Sequence, residues 1–214
     1  MFAAISLLTL LLQAVLYYFI HGIVGILAAS LILSPIVTAV ANIQSALDIR
    51  HGEIPHSEFM EWALSRLWAV ILVDFVAWFA SFGGTSLLAS ASPGEILLGM
   101  LSLVLTATLL FADVYVSVEP QPNLLLSIPF AFMRSIGLAW QNGNMMRMLA
   151  ITAVQIAIFA LSDPLYRLLA SHHVPGATFA AIVPLGTLLS APFAVLTTVV
   201  YFDAVARERE MTTS

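Results

Sequence analysis

Six long apolar runs are separated by short polar punctuation: Phe2 to Ile20, Ile23 to Leu47, Leu67 to Ala89, Glu95 to Val118, Met145 to Leu161 and Ala177 to Phe202. A helix needs about 20 apolar residues, each rising about 1.5 Å, to cross a bilayer. The pattern therefore predicts six spans. His21-Gly22 predicts a tight hairpin, because one helix through the first two runs would overshoot any membrane. Asp48-Ile49-Arg50-His51-Gly52-Glu53 is the first clear exit into water. Ser90-Ala91-Ser92-Pro93-Gly94 is a turn signal, and the two prolines of Glu119-Pro120-Gln121-Pro122-Asn123 end the fourth run.

Shorter segments between the runs carry a helical period. In His56 to Arg66, Phe59, Trp62 and Ala63 recur at i, i+3, i+4, and Glu58 and Glu61 suit the positive end of a helix dipole. Trp62 and Trp68 are expected at headgroup level. Ser127 to Trp140, ending at Asn142-Gly143-Asn144, reads as a second interfacial helix. Ser162-Asp163-Pro164 resembles an N-cap with proline at the first helical position, and Leu165, Leu168 and Leu169 form one face of a short surface helix. Alternatively, Pro164 kinks a longer fifth span. The loop His172-His173-Val174-Pro175-Gly176 precedes the sixth run, and the tail from Ala204 is charged and helical at first. The expected fold is all-α and integral to the membrane: six transmembrane helices with short interfacial helices and both termini cytoplasmic. Residues 1–203 form one domain, and 204–214 a charged tail.

Composition sharpens this picture. Apolar residues make up 61% and charged residues 9% of the 214 positions, with a mean hydropathy of +1.01. A soluble domain carries about 25% charged residues, so this chain has too little polar surface to coat a water-facing globule. With an N-terminus inside, Arg50, Arg66, Arg134, Arg147, Arg207 and Arg209 all fall on the cytoplasmic side, and only Arg167 falls outside. That bias follows the positive-inside rule and supports both the span count and the orientation of a multi-pass protein. Leu27-Ala28-Ala29-Ser30 loosely resembles a signal-peptidase site, but the preceding run is too long and no basic residue precedes it; the first helix is read as retained. Cysteine is absent, which removes disulfides and thiolate metal sites. No basic patch interleaved with aromatics points to nucleic acid.

Five polar residues are candidate structural or coupling groups: Asp74, Asp113, Arg134, Arg147 and Asp203. Asp74 lies two turns into the third run, where a carboxylate is costly unless paired, protonated or facing water. It reads either as a proton- or ion-coupling site or as one structural partner inside the bundle. The structural reading is preferred, because a single acid without polar company makes a poor transport path. Asp113 and Asp203 lie near the cytoplasmic ends of their runs, within reach of Arg134 or Arg147, and predict a belt of ion pairs. A pair between Asp203 and Arg134 is expected. The histidines (His21, His51, His56, His172 and His173) offer no set of three or four ligands, so no metal, cofactor or catalytic constellation is expected.

Pro35, Pro184 and Pro192 lie inside the second and sixth runs, where each frees a backbone carbonyl. Gly25-x-x-x-Ala29 and Gly186-x-x-x-Ser190 permit close helix approach. The same two runs share a weak echo: Ser34-Pro35 is followed by Arg50 and Glu53, and Ala191-Pro192 by Arg207 and Glu210, at identical offsets. Both run from outside to inside, so they are expected in related places.

Three motifs carry a family resemblance. These are Arg50-His51-Gly52-Glu53 with Pro55; Ala131-Phe132-Met133-Arg134-Ser135 followed by Leu138, Gly143-Asn144 and Arg147; and Tyr201-Phe202-Asp203 with Arg207. Together they resemble the bacterial six-helix membrane family that includes the membrane domain of glycerophosphoryl diester phosphodiesterases and related uncharacterised envelope proteins. Phe202, Val205 and Arg209 depart from that family's C-terminal pattern. The resemblance implies the topology and a multi-pass place in the bacterial inner membrane; catalysis in such proteins belongs to a separate soluble barrel, so it does not imply a phosphodiesterase here. The expected function is a non-catalytic accessory or scaffold subunit, with the bilayer and other membrane subunits or further copies of itself as partners. The alternative is a small-molecule or lipid transporter using Asp74 and proline-broken helices.

Overall fold

The computed structural model describes residues 11–12, 34–50, 56–81, 92–119, 124–141, 143–173 and 177–213. Nearly all of them are helical, and among them no strand is found. The helices are α1 (Ser34–Arg50), α2 (His56–Ser81), α3 (Pro93–Val118), α4 (Leu124–Ala139), α5 (Asn144–Ala160), α6 (Ser162–Ser171) and α7 (Ala177–Thr213). The expected first span, apart from residues 11–12, lies outside the described residues, as do its His21-Gly22 hairpin, the exit after Arg50, and the Gly25 motif.

α3 follows its sequence signals closely. Ser92 is extended, Pro93 occupies the first turn and Glu95 complements the positive end of the helix dipole. At the other end Glu119 turns extended, its N–H still bonded to Tyr115 O, just before Pro120. Among the described residues this is the one helix both long and apolar enough to cross a membrane; α1, α4 and α5 contribute shorter apolar stretches.

Two boundaries differ from expectation. The segment from His56 and the third run form one uninterrupted helix, because neither glycine nor proline occurs between His56 and Ser81. The tail after the sixth run, expected to be helical at first, is helical almost to its end. α7 continues to Thr213 through Ala204, Val205, Ala206 and the i, i+4 pair Asp203–Arg207. At 1.5 Å per residue it is about 55 Å long, well beyond the hydrocarbon thickness of a bilayer, about 30 Å. It is also helical through Pro184 and Pro192, so the broken helix that the transporter alternative called for is not found there. Before α6 the expected cap, Ser162, is already inside the helix. Leu161 holds the N-cap position with helical backbone and no side-chain cap bond, while Leu165 N–H donates to Leu161 O at 3.3 Å. The short helix therefore exists, but as a near-continuation of α5.

α3 is the axis of the bundle, contacting α1, α2, α4, α5 and α7. Phe111, Val114 and Val118 pack with Leu138, Met148 and Tyr201 in one cluster, and Ala112 and Val116 pack with Val70, Val73 and Ala131 in another. The inward faces mix small residues with the large ones of these clusters, whereas the outward faces are almost uniformly large and apolar. On α4, Ser127, Ala131 and Ser135 point inward, while Leu126, Phe130, Met133, Ile136 and Trp140 stay exposed. α2 buries Ala63 and Ala69 and exposes Leu64, Trp68, Leu72, Phe75 and Val76; α3 buries Gly99, Ala107 and Ala112 and exposes Leu97, Leu98, Leu101 and Leu105.

The two runs that share an echo, α1 and α7, are direct neighbours. Val37 and Ala41 pack on Ala191 and Ala194, Thr198 Oγ1 donates to Asn42 Oδ1 at 3.0 Å, and Ala46 joins the cluster of Tyr201 and Ala204. Position advances together along both helices, so they pack in parallel. Small residues let the backbones approach.

Candidate functional site

The polar side chains of the helices gather in two layers along α3. The lower layer sits at the C-terminal end of α3, where the last carbonyls have no partner within the helix. Arg66 of α2 supplies donors: its Nη1 bonds Val116 O at 3.1 Å and also reaches Glu119 O. The guanidinium lies 4.4 Å from the centroid of the Trp62 ring, a cation–π distance, and Trp62 Nε1 donates to Ser117 O at 2.9 Å. Burial lowers the Arg66 pKa, and the Glu119 carboxylate acts in the opposite sense. Tyr201 closes the layer from α7, its hydroxyl 3.4 Å from Glu119 Oε1 and its ring edge-on to Phe111.

The expected belt of ion pairs forms beside this layer: Asp203 meets Arg147, one of its two expected partners, while Arg134 takes another acid. Arg134 does not meet Asp203. Its fork binds both oxygens of Glu208, Nη1 to Oε1 at 2.7 Å and Nη2 to Oε2. Asp203 instead accepts from Arg147 of α5 and from Arg207 one turn further along α7. The reason is the continuation of α7: Arg207, at i+4, shares the face of Asp203, whereas Glu208 is rotated by roughly another 100° toward α4. The hydrogen bond from Arg147 holds the Asp203 carboxyl below its ordinary range, with Arg207 adding to it. The bond from Arg134 does the same for Glu208, and Glu208 in return raises the pKa of Arg134. Arg134, Arg147, Asp203 and Arg207, drawn from two separate motifs, thus come together at one end. Arg167 lies past the opposite end of α5, on α6.

The upper layer was not legible as a pair. Asp113 meets neither Arg134 nor Arg147. Its carboxyl group lies within side-chain hydrogen-bonding reach of Asp74 on α2. Asp74 therefore has the polar company that sequence reading denied it. Antiparallel packing of α2 on α3 explains the meeting: Trp62 contacts Ser117 near one end, so residues later in α2 face residues earlier in α3. Asp113 Oδ1 and the hydroxyl of Ser117, a fully buried residue one turn along α3, have no hydrogen-bond partner.

Sequence reasoning also missed Asn42 and Thr198, both buried, which bridge α1 and α7. An asparagine and a threonine inside apolar runs were the available signal. Among the described residues, no group of three or more His, Cys, Asp or Glu side chains is arranged to hold a metal ion. No family model, curated protein or solved structure matches this chain.

Proposed function

We propose that this chain is a multi-pass membrane protein, cytoplasmic at both ends, that acts as a non-catalytic accessory or scaffold subunit in a bacterial inner membrane. The observation that carries the reading is the set of large apolar residues left uncovered along α2, α3 and α4, around a helix, α3, that is long and apolar enough to cross a membrane. In water so much large apolar surface on neighbouring helices would be covered. In lipid that drive is missing, helices associate through small-residue packing, and large apolar groups face the acyl chains or another apolar helix. The Arg134–Glu208 and Arg147–Asp203–Arg207 contacts then tie the projecting end of α7 to α4 and α5, giving a firm cytoplasmic face against which a partner can dock. The resemblance to the six-helix membrane family fits this arrangement, since two of its motifs supply these groups.

The experiment is purification of the tagged chain from membranes in mild detergent, with mass spectrometry of what accompanies it. A stoichiometric membrane partner or a defined homo-oligomer is expected. A lone monomer that supports proton-driven uptake in vesicles would overturn the reading in favour of a carrier. The contact between Asp74 and Asp113 is the observation that favours this second reading.

A further inference from the structure

The belt of charges is not electrically closed. Arg134 and Glu208 neutralise each other one to one, but Arg147 of α5 and Arg207 of α7 both donate to the same oxygen of Asp203, Oδ2. Among the described residues neither arginine makes a further ion pair. Two positive charges thus share one negative charge, and a surplus of one is left. Each guanidinium carries five N–H donors in a planar fork, and the contact to Asp203 uses one nitrogen of each. The side chains of the three residues are between 34% and 44% exposed, so the other donors are open to a ligand.

A second observation says what kind of ligand fits. Leu196, Val199, Asp203 and Arg207 follow one another at helical spacing on one face of α7, and both apolar members are exposed. Arg147 heads a matching stripe on α5 through Ala150 and Val154, which are also exposed. Arg147 near the start of α5 meets Asp203 near the end of α7, so the helices run antiparallel and the two stripes lie side by side. Each stripe leads about 10 Å away from the charges. The run from Ala177 to Phe202 is about 39 Å long against about 30 Å of hydrocarbon, which sets the charges at headgroup level. An open basic group above two exposed apolar stripes complements an anionic amphiphile. A phosphodiester offers the acceptor oxygens that guanidinium forks bind. One net negative charge on the headgroup also matches the surplus, whereas a zwitterionic headgroup brings an ammonium that the arginines repel. We propose that Arg147, Asp203 and Arg207 form a binding site for the phosphate of an anionic phospholipid in the cytoplasmic leaflet, with an acyl chain lying along Val154 and Val199. Asp203 is a positioning residue that holds the two forks together. The site rests on the membrane reading above and not on the scaffold role.

The test titrates the full chain in mild detergent with phosphatidylglycerol and, separately, with phosphatidylethanolamine of the same acyl chains, counting bound lipid by native mass spectrometry. The wild type should hold one phosphatidylglycerol per chain, at least about fivefold more tightly than phosphatidylethanolamine. Arg147→Gln and Arg207→Gln should each weaken phosphatidylglycerol about fivefold, and the double variant should lose the preference. Arg134→Gln, which opens the neutral pair instead, should keep it. Size-exclusion profiles establish that each variant is folded. Should the double variant not fold, salt takes its place: the wild-type preference should shrink as sodium chloride is raised, and a preference indifferent to salt would sink the idea. Equal binding of the two lipids by folded wild type, or an undiminished preference in the folded double variant, would overturn the proposal. An equal loss in Arg134→Gln would also overturn it, since the whole belt and not this site would then attract the lipid. Displacement of the lipid by inorganic phosphate or glycerophosphoglycerol at equal concentration would replace it with a free-phosphate site. Extraction of the chain from membranes by alkaline carbonate would instead overturn the membrane reading, before any lipid is added.

Discussion

Arg134 on α4 grips Glu208 on α7 with two hydrogen bonds, more than a turn past Asp203, the acid that its motif suggested as a partner. Both side chains are only partly covered, so solvent screening reduces what the pair contributes. Its geometry is nonetheless the bidentate one that only arginine offers a carboxylate.

Arg134→Ala and Glu208→Ala should each lower thermal stability in detergent by about 1 kcal/mol. Arg134→Lys should recover less than half of the loss, since an ammonium cannot form the fork. The charge-swapped double variant, Arg134→Glu with Glu208→Arg, should be more stable than either single swap. Equal melting curves for Asp203→Ala and Glu208→Ala in an Arg134→Ala background would reassign the pairing.

Acid should weaken the belt before it affects the apolar bundle. The Asp203 and Glu208 carboxyls are both held below their ordinary values by their arginine partners. A lowered carboxyl pKa contributes stability that is complete above the unfolded value, about 4, and disappears as pH falls through the folded value. The wild type should therefore lose melting temperature below about pH 4, and an Asp203→Asn, Glu208→Gln variant should lose less over the same interval. Parallel acid curves for the two proteins would contradict the assignment.

Thr198 donates to Asn42 where both are buried. Thr198→Val keeps the shape and strands the asparagine, with an expected loss of about 1 kcal/mol. Asn42→Leu together with Thr198→Val removes both polar groups and should be less destabilised than the sum of the single changes. Strict additivity in a double-mutant cycle would mean the bond is not formed.

Topology is testable with reporter fusions. Fusions after Arg50, after Asn142 and at Ser214 should report the cytoplasm, and fusions at Ser92 or His173 the opposite side. A C-terminus on the outer side would be incompatible with six spans.

Much of the local structure was legible from residue types. Pro93 and the Pro120-Gln121-Pro122 stretch bracket α3 because proline is tolerated in a first turn and cannot continue a helix. Gly143, with φ at 73°, marks the α4–α5 turn that Asn142-Gly143-Asn144 announced. The echo between the second and sixth runs pointed to related places, and α1 and α7 pack side by side in parallel. Helix stops were harder to read. The charged tail was expected to be helical only at first, yet arginine and glutamate are good helix formers and α7 continues through it to Thr213.

What the sequence by itself determined was which stretches are helical and which end of each carries charge, because propensity, capping and hydropathy act over a few neighbouring residues. Which acid meets which partner was decided only by the tertiary structure. A side chain near a helix end is offered to a neighbour by the rotation of that helix about its axis, and one residue turns it by about 100°. Packing α2 antiparallel on α3 brought Asp74 to Asp113, and the unbroken run of α7 turned Glu208, not Asp203, toward Arg134.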